Sequence, residues 1–162
     1  MTSDRAASSA APTPVDSYRE RLWPAAWIWA STLLLGASAG LVAAPFGDTA
    51  ALTTALAAAA LLLAGLIAWT PTVGVLADEL VAGRARIPVG LVGPAQPLDS
   101  EQLRREHGTG LDARAYLCMR GWIATGVRVQ IDDPQDPTPY WLVSSRHPQQ
   151  LVAALDAARR HV

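Results

Sequence analysis

The chain has 162 residues, with 13 basic and 14 acidic side chains, three histidines and one cysteine. The 56 residues between Arg21 and Asp78 carry a single charge, Asp48, while the other 106 residues hold the remaining 26. A soluble enzyme of this size needs charge throughout to cover its surface, so that class is disfavoured, and one cysteine excludes a disulfide framework or a multi-thiolate metal site. Every basic residue is arginine, which reads as genomic base composition rather than chemistry.

Residues 1–17 are rich in Ser, Ala and Pro without an apolar period, and predict a disordered tail. Tyr18-Arg19-Glu20-Arg21 forms its membrane-proximal end, so the tail is taken as residues 1–21. Two uncharged runs follow, Leu22–Gly47 with 26 residues and Thr49–Ala77 with 29. About 20 apolar residues in a helix cross a hydrocarbon core about 30 Å thick, so both runs suffice. The spans are placed near Trp23–Ala43 and Ala50–Trp69, within a hairpin region of residues 22–71. Ala44-Pro45-Phe46-Gly47-Asp48-Thr49 is the tight turn between them, with Asp48 at its polar tip.

Arg5, Arg19 and Arg21 precede the first span, Arg84 and Arg86 follow the second, and the turn has no basic residue. The positive-inside bias therefore puts both termini in the cytoplasm of a multi-pass protein of the cell (inner) membrane. Trp23, Trp27 and Trp29 at the first span's entry and Trp69 at the second's exit fit the inner headgroup layer. Leu41-Val42-Ala43-Ala44 resembles a signal-peptide cleavage site, but the polar lead is long and acidic and the apolar run exceeds roughly 7–15 residues. Neither span holds an ionisable group, which disfavours a transporter or channel. Gly36 and Gly40 form a GxxxG motif, and Ala60, Ala64 and Ala68 repeat every fourth residue. These small faces predict close helix packing, within the hairpin first and otherwise in a homodimer or against a partner's helix.

Residues 72–162 read as a small cytoplasmic α+β domain. Val73–Leu76, Leu80–Ala82 and Arg86–Pro88 predict short antiparallel strands, the last two separated by a turn at Gly83-Arg84. Polar Leu98–His107 predicts a helical turn capped by Asp99 or Ser100. Ala113–Cys118 is the next expected strand. Val127–Ile131 alternates, with Arg128 and Gln130 facing out. Asp132–Pro139, with three prolines, predicts a stiff loop, Tyr140–Ser144 a strand, and Pro148 to about His161 a helix with Leu151, Leu155, Ala158 and Val162 on one stripe.

Both spans, the segment Asp78-Glu79-Leu80 through Pro88, and Asp133-Pro134-Gln135-Asp136-Pro137-Thr138-Pro139-Tyr140-Trp141-Leu142-Val143-Ser144-Ser145-Arg146 followed by Pro148 and Leu151 resemble an actinobacterial family of two-span membrane proteins. That family is classed as a domain of unknown function. The resemblance runs over roughly residues 18–162 and implies location and topology, with no activity or catalytic residues. By element order, the C-terminal part is also similar to bacterial PH-like domains. The expected fold is thus an α+β membrane protein: a transmembrane helical hairpin followed by a small PH-like β-barrel or sheet domain closed by a C-terminal helix.

Cys118 with His107 or His147 is the only nucleophile–base set, and an enzyme centred there is disfavoured: Cys118 suits a buried strand end and His147 a capping or surface place. Asp132, Asp133 and Asp136 lack EF-hand spacing and predict turn caps rather than a calcium site. Arg146 is expected to pair with one of them. No phosphate-cradling motif occurs, so neither cofactor nor metal is expected. Residues 72–162 hold ten arginines against ten acids, which disfavours nucleic acid as a partner. The functional expectation is a non-enzymatic module that docks a protein partner or braces a membrane complex, with Pro134, Pro137, Tyr140 and Trp141 as contact surface. The alternative is an anionic lipid headgroup sensor using Arg19, Arg21, Arg84 and Arg86.

Overall fold

The computed structural model describes residues 18–161. The disordered tail expected for residues 1–17, and Val162 on the helix stripe, lie outside the described residues. Tyr18–Arg21 departs from the expected tail. Arg19–Arg21 is a strand, β1, paired antiparallel with β2 (Thr72–Leu76) in the register Arg19↔Gly74 and Arg21↔Thr72. Between these partners the chain makes two helices, α1 (Ala26–Ala43) and α2 (Asp48–Ala68). The helical hairpin is thus the connection of a β-hairpin. Short joints, Leu22–Ala25 and Trp69–Pro71, bring the chain out of β1 and back into β2.

Both helices are long and apolar enough to cross a membrane. At 1.5 Å per residue they measure about 27 and 31 Å. A 3-10 turn, Ala44–Phe46, links them, and Gly47 at φ 108° occupies backbone space that other residues avoid. Asp48 begins α2 rather than tipping the turn, its carboxylate placed favourably at the helix's positive end.

Gly36 and Gly40 are the only buried residues of α1, and they seat the helix pair. A Cβ on Gly36 would stand 2.6 Å from Cα of Ala59, and one on Gly40 would stand 2.8 Å from the carbonyl oxygen of Ala51. The stripe that receives them is Ala51, Ala55 and Ala59. Ala60, Ala64 and Ala68, the expected packing face, are exposed instead. An alanine-rich helix carries several four-residue repeats, and a step of one residue turns the face by about 100°. The outer faces, including Leu33, Leu34, Leu35, Leu52, Leu56 and Leu61, are bare.

After β2 come β3 (Glu79–Ala82) and β4 (Ala85–Pro88), completing an antiparallel sheet in the order β1-β2-β3-β4. A second sheet, β5-β7-β8-β6, contains β5 (Val92–Leu98), β6 (Tyr116–Cys118), β7 (Gly126–Ile131) and β8 (Tyr140–Ser144). β6 runs parallel to β8, and the other pairs are antiparallel. β5 is a strand not expected from the sequence, since Pro94 and Pro97 oppose a ladder. The fold accommodates them on an edge strand whose register shifts between Val92 and Ala95. β6 is shorter than the expected Ala113–Cys118 because Asp112 closes a turn, its carboxylate accepting the Arg114 N–H at 2.8 Å.

The sheets form no closed barrel, which corrects the barrel alternative expected from PH-like order. Between them the described bridges include one side-chain bond, the Tyr116 hydroxyl donating to the Ala82 carbonyl at 2.8 Å. The expected C-terminal helix, α4 (Pro148–Arg159), packs on β2 of one sheet and on β5 and β7 of the other. Leu151, Leu155 and Ala158 of α4 join Leu22, Val73, Leu80, Val127, Val129, Trp141 and Val143 in one core. Each buried aliphatic side chain in such a core contributes roughly 1.5–3 kcal/mol. On the opposite face of the second sheet, α3 (Ser100–His107) covers Leu98, Tyr140 and Leu142 with Leu103. Asp99 caps α3, accepting the Gln102 N–H at 2.8 Å while Gln102 accepts the Asp99 N–H at 3.0 Å.

β1 is also clasped from its far side. Glu20, nearly buried, accepts the Ser145 hydroxyl at 2.6 Å, the Arg146 N–H at 3.0 Å and the Tyr18 hydroxyl at 2.9 Å. Burial, with Glu20 adding to it, pushes the Tyr18 phenol up to about 12. Arg146 therefore pairs with Glu20 and with the Trp23 carbonyl at 2.6 Å, not with the acids of the Asp132–Asp136 loop.

Two consequences are measurable. A side chain at Gly74 runs into the Tyr18 carbonyl of β1, so Gly74→Val should destabilise the domain by at least the roughly 1–3 kcal/mol of overpacking. Trypsin would then cut at Arg19 and Arg21 in detergent, and unchanged resistance would show that β1 is not seated there. Ala77 and Asp78, which join β2 to β3, have φ of 47° and 61°. Ala77→Asn with Asp78→Gly should raise stability by about 1 kcal/mol in thermal melts, because those residues adopt left-handed backbone cheaply.

Candidate functional site

Three elements meet at the base of the helical hairpin: the end of α2 with its exit joint, the β3–β4 turn, and β6 with the loop after it. They enclose a cleft of about 640 Å³ whose wall includes Arg19, Arg84, Arg86 and Arg120 but no carboxylate. Gly83, at φ 67°, takes the first place of the two-residue β3–β4 turn, which projects Arg84 at the tip beside Arg86 of β4. Arg86 stands 4.0 Å from Glu79, but both side chains are largely exposed, so the pair offsets little of the charge.

Arg120 is the inner wall. Its guanidinium donates to the Trp69 carbonyl at 3.2 Å and to the Met119 carbonyl at 2.8 Å. It thereby satisfies a carbonyl at the negative end of α2 that the helix itself leaves open. Trp122, 6.0 Å beyond, donates its indole N–H to the Leu22 carbonyl at 3.3 Å, so the loop Met119–Trp122 bridges both joints of the hairpin. Trp69 itself is 83% exposed. Five of the six tryptophans, Trp23, Trp27, Trp29, Trp69 and Trp122, thus lie at the hairpin base or on the loop against it, the arrangement of an interfacial belt.

Three of the four arginines expected at a headgroup, Arg19, Arg84 and Arg86, line this cleft. Arg21 does not. It lies 4.4 Å over the Trp23 ring and donates to the Ile67 carbonyl at 3.1 Å, a second clamp on the end of α2. Arg120 was missed. Its only sequence signal was its place two residues before a tryptophan in the short polar break after Cys118.

The surface expected to contact a protein partner is corrected. Pro134 and Pro137 are exposed, but Tyr140 and Trp141 are 3% and 5% exposed and belong to the core. The Trp141 ring lies 4.9 Å from that of Tyr116, and the Tyr140 hydroxyl accepts the Asp112 N–H at 2.9 Å while Arg128 covers its ring at 4.2 Å. β8 is buried on both faces because α3 covers one and the core the other, which no alternation in a five-residue strand signals.

Cys118 is buried at the end of β6, while His107 at the end of α3 and His147 at the start of α4 are exposed. Burial pushes the Cys118 thiol above its usual range, with Arg120 opposing in part. Asp133 and Asp136 accept the Gln135 and Thr138 N–H groups at 2.9 Å, which is turn capping, and the Thr138 bond lowers the Asp136 carboxyl. Among the described residues no three His, Cys, Asp or Glu side chains form a metal-holding group.

The fold defines a class: two apolar helices of membrane-spanning length, inserted in a β-hairpin and carrying an α+β domain at their joined ends. The chain belongs to the family described as Protein of unknown function (DUF3093), matched over residues 17–155. No curated protein and no solved structure matches it.

The thiol offers a direct check on the buried strand end. Native Cys118 should react with a thiol reagent at neutral pH roughly tenfold or more slowly than an exposed cysteine, and reach the free rate only in denaturant. Fast labelling of the native protein would place Cys118 at the surface.

Proposed function

We propose that this chain is an integral protein of the cell membrane whose domain rests on the cytoplasmic face and holds anionic phospholipid headgroups in the arginine cleft. One observation carries the reading: Arg19, Arg84, Arg86 and Arg120 converge in a carboxylate-free cleft that opens beside Trp69, where an apolar helix of membrane-spanning length ends. The bare leucines of α1 and α2 support burial in acyl chains, since water would have to cover two uninterrupted apolar faces. Joining of both helix ends at β1 and β2 supports one side for the N-terminal flank and the domain. Arginine at that end, with none in the turn, supports the cytoplasmic side.

Headgroup binding is favoured over docking of a protein on the Pro134–Trp141 segment because the two aromatic anchors of that surface are buried. The module is read as a binding protein that needs no cofactor. Each arginine at an anionic surface contributes about 1 kcal/mol. Replacing Arg19, Arg84 and Arg86 together by Gln should therefore weaken binding of phosphatidylglycerol to the detergent-solubilised protein roughly a hundredfold. Added salt should weaken the wild-type more steeply than the triple variant, which keeps only Arg120 of the four cleft arginines. Equal binding of phosphatidylglycerol by wild-type and variant would end the headgroup reading. A phosphatase reporter fused after Val162 that becomes active in the periplasm would end the orientation.

A further inference from the structure

An apolar groove adjoins the cleft. Leu66, Trp69, Met119 and Trp122, with Gly121 and Arg120, line a second hollow of about 410 Å³ along the last turn of α2. Trp69 and Arg120 belong to both walls. Leu66 lies three residues before Trp69, one helical turn closer to the middle of the apolar helix. The cationic wall and the apolar wall thus adjoin at Trp69 and Arg120.

We infer that cleft and groove together are a site for one two-chain anionic glycerophospholipid, its phosphate among Arg84, Arg86 and Arg120 and the first methylenes of one acyl chain against Leu66, Trp69 and Trp122. This rests on the headgroup reading above and adds to it the occupant of the groove. Two features favour a lipid over free phosphate. The charge is matched only by an anion, and the adjoining wall is matched only by hydrocarbon attached to that anion. Arg120 lines both hollows, and its guanidinium is already held by the Trp69 and Met119 carbonyls, so that engaging an anion there costs little further entropy. A lipid held at this place lies against the joint between α2 and β2, and so bears on how the domain sits over the bilayer.

Native mass spectrometry of the full chain in a mild non-ionic detergent tests this with three probes: dioleoyl phosphatidylglycerol, dioleoyl phosphatidylcholine and glycerol 3-phosphate. Wild-type should retain one phosphatidylglycerol per chain and no phosphatidylcholine. Leu66→Trp, which fills the groove from a helix face open to lipid, should lower phosphatidylglycerol occupancy about tenfold, the equivalent of two lost methylene contacts, while weak glycerol 3-phosphate binding is unchanged. Gly121→Trp, where an added Cβ meets open space, should repeat that pattern from the other wall, and a melting temperature equal to wild-type in phosphatidylcholine micelles verifies each variant's fold. Arg84→Gln with Arg86→Gln should lower both phosphatidylglycerol and glycerol 3-phosphate binding. If both tryptophan variants bind phosphatidylglycerol like wild-type while the glutamine pair does not, the groove inference fails and the headgroup reading stands. If wild-type retains phosphatidylcholine as well as phosphatidylglycerol, both fail.

Discussion

The three-residue ladder between β1 and β2 is the constraint on which the molecule turns. A β-hairpin normally closes through a few residues; here its connection is two packed helices, each near the thickness of a bilayer's apolar layer. Three paired residues alone would hold such a load poorly. The strand is therefore fixed from both sides: by β2, where Gly74 lets the Tyr18–Arg19 backbone approach, and by the β8–α4 corner, where Glu20 gathers Ser145 and Arg146. Leu22, the next residue, is wholly buried in the core that α4 completes. The helices consequently enter and leave the domain through joints of four and three residues, the first anchored in that core by Leu22 and the second tied to it where the Pro71 carbonyl accepts the Leu22 N–H at 3.1 Å. A tilt of the helical hairpin cannot be absorbed by a slack linker, and has to be transmitted to the sheet.

That coupling explains why the end of α2 is so heavily tied. A helix terminus leaves its last carbonyls open, and each needs a donor from outside the helix. Arg21 takes the Ile67 carbonyl and Arg120 the Trp69 carbonyl, from opposite sides of the helix pair's exit. Both arginines place positive charge at the negative end of the helix dipole. The same two bonds tie β1 and the loop after β6 to the joint, so capping the helix and aligning the domain are one set of contacts.

Much of the architecture was legible from periodicity and punctuation. The uncharged runs gave α1 and α2 within a few residues, and alternation gave β7, while Pro148 marked the start of α4. What escaped had specific causes. β1 is three charged residues, Arg-Glu-Arg, whose strand character comes from its partner and from the Glu20 clasp, not from propensity. β5 hid behind Pro94 and Pro97, legible only once its edge position is known. In α2 the true packing stripe, Ala51, Ala55 and Ala59, was one of several equivalent repeats, and only the position of Gly36 and Gly40 opposite selects it. Most of the cleft was visible: the positive-inside bias puts Arg19, Arg84 and Arg86 at one surface, whereas Arg120 joins them through long-range contacts that no local pattern encodes.

Net charge concealed the same site. Residues 72–162 balance ten arginines with ten acids, which argues against an electrostatic partner if charge is summed over the domain. What matters to a bound anion within a Debye length of about 8–10 Å is the local remainder after pairing. Asp112 is engaged by Arg114, Glu106 by Arg128, Glu101 by Arg105 and Asp156 by Arg159, all on the α3, β7 or α4 side of the domain. Glu20, the acid nearest the cleft in sequence, is turned away from it by the alternation of β1 and engaged by Ser145 and Arg146. Among the ion pairs of the described residues, Glu79, exposed and at the limit of ion-pair distance from Arg86, is the one acid paired with a cleft arginine. The fold thus sorts a neutral composition into a positive end facing the apolar helices and a balanced end facing away, which is the polarity that a domain held against an anionic surface requires.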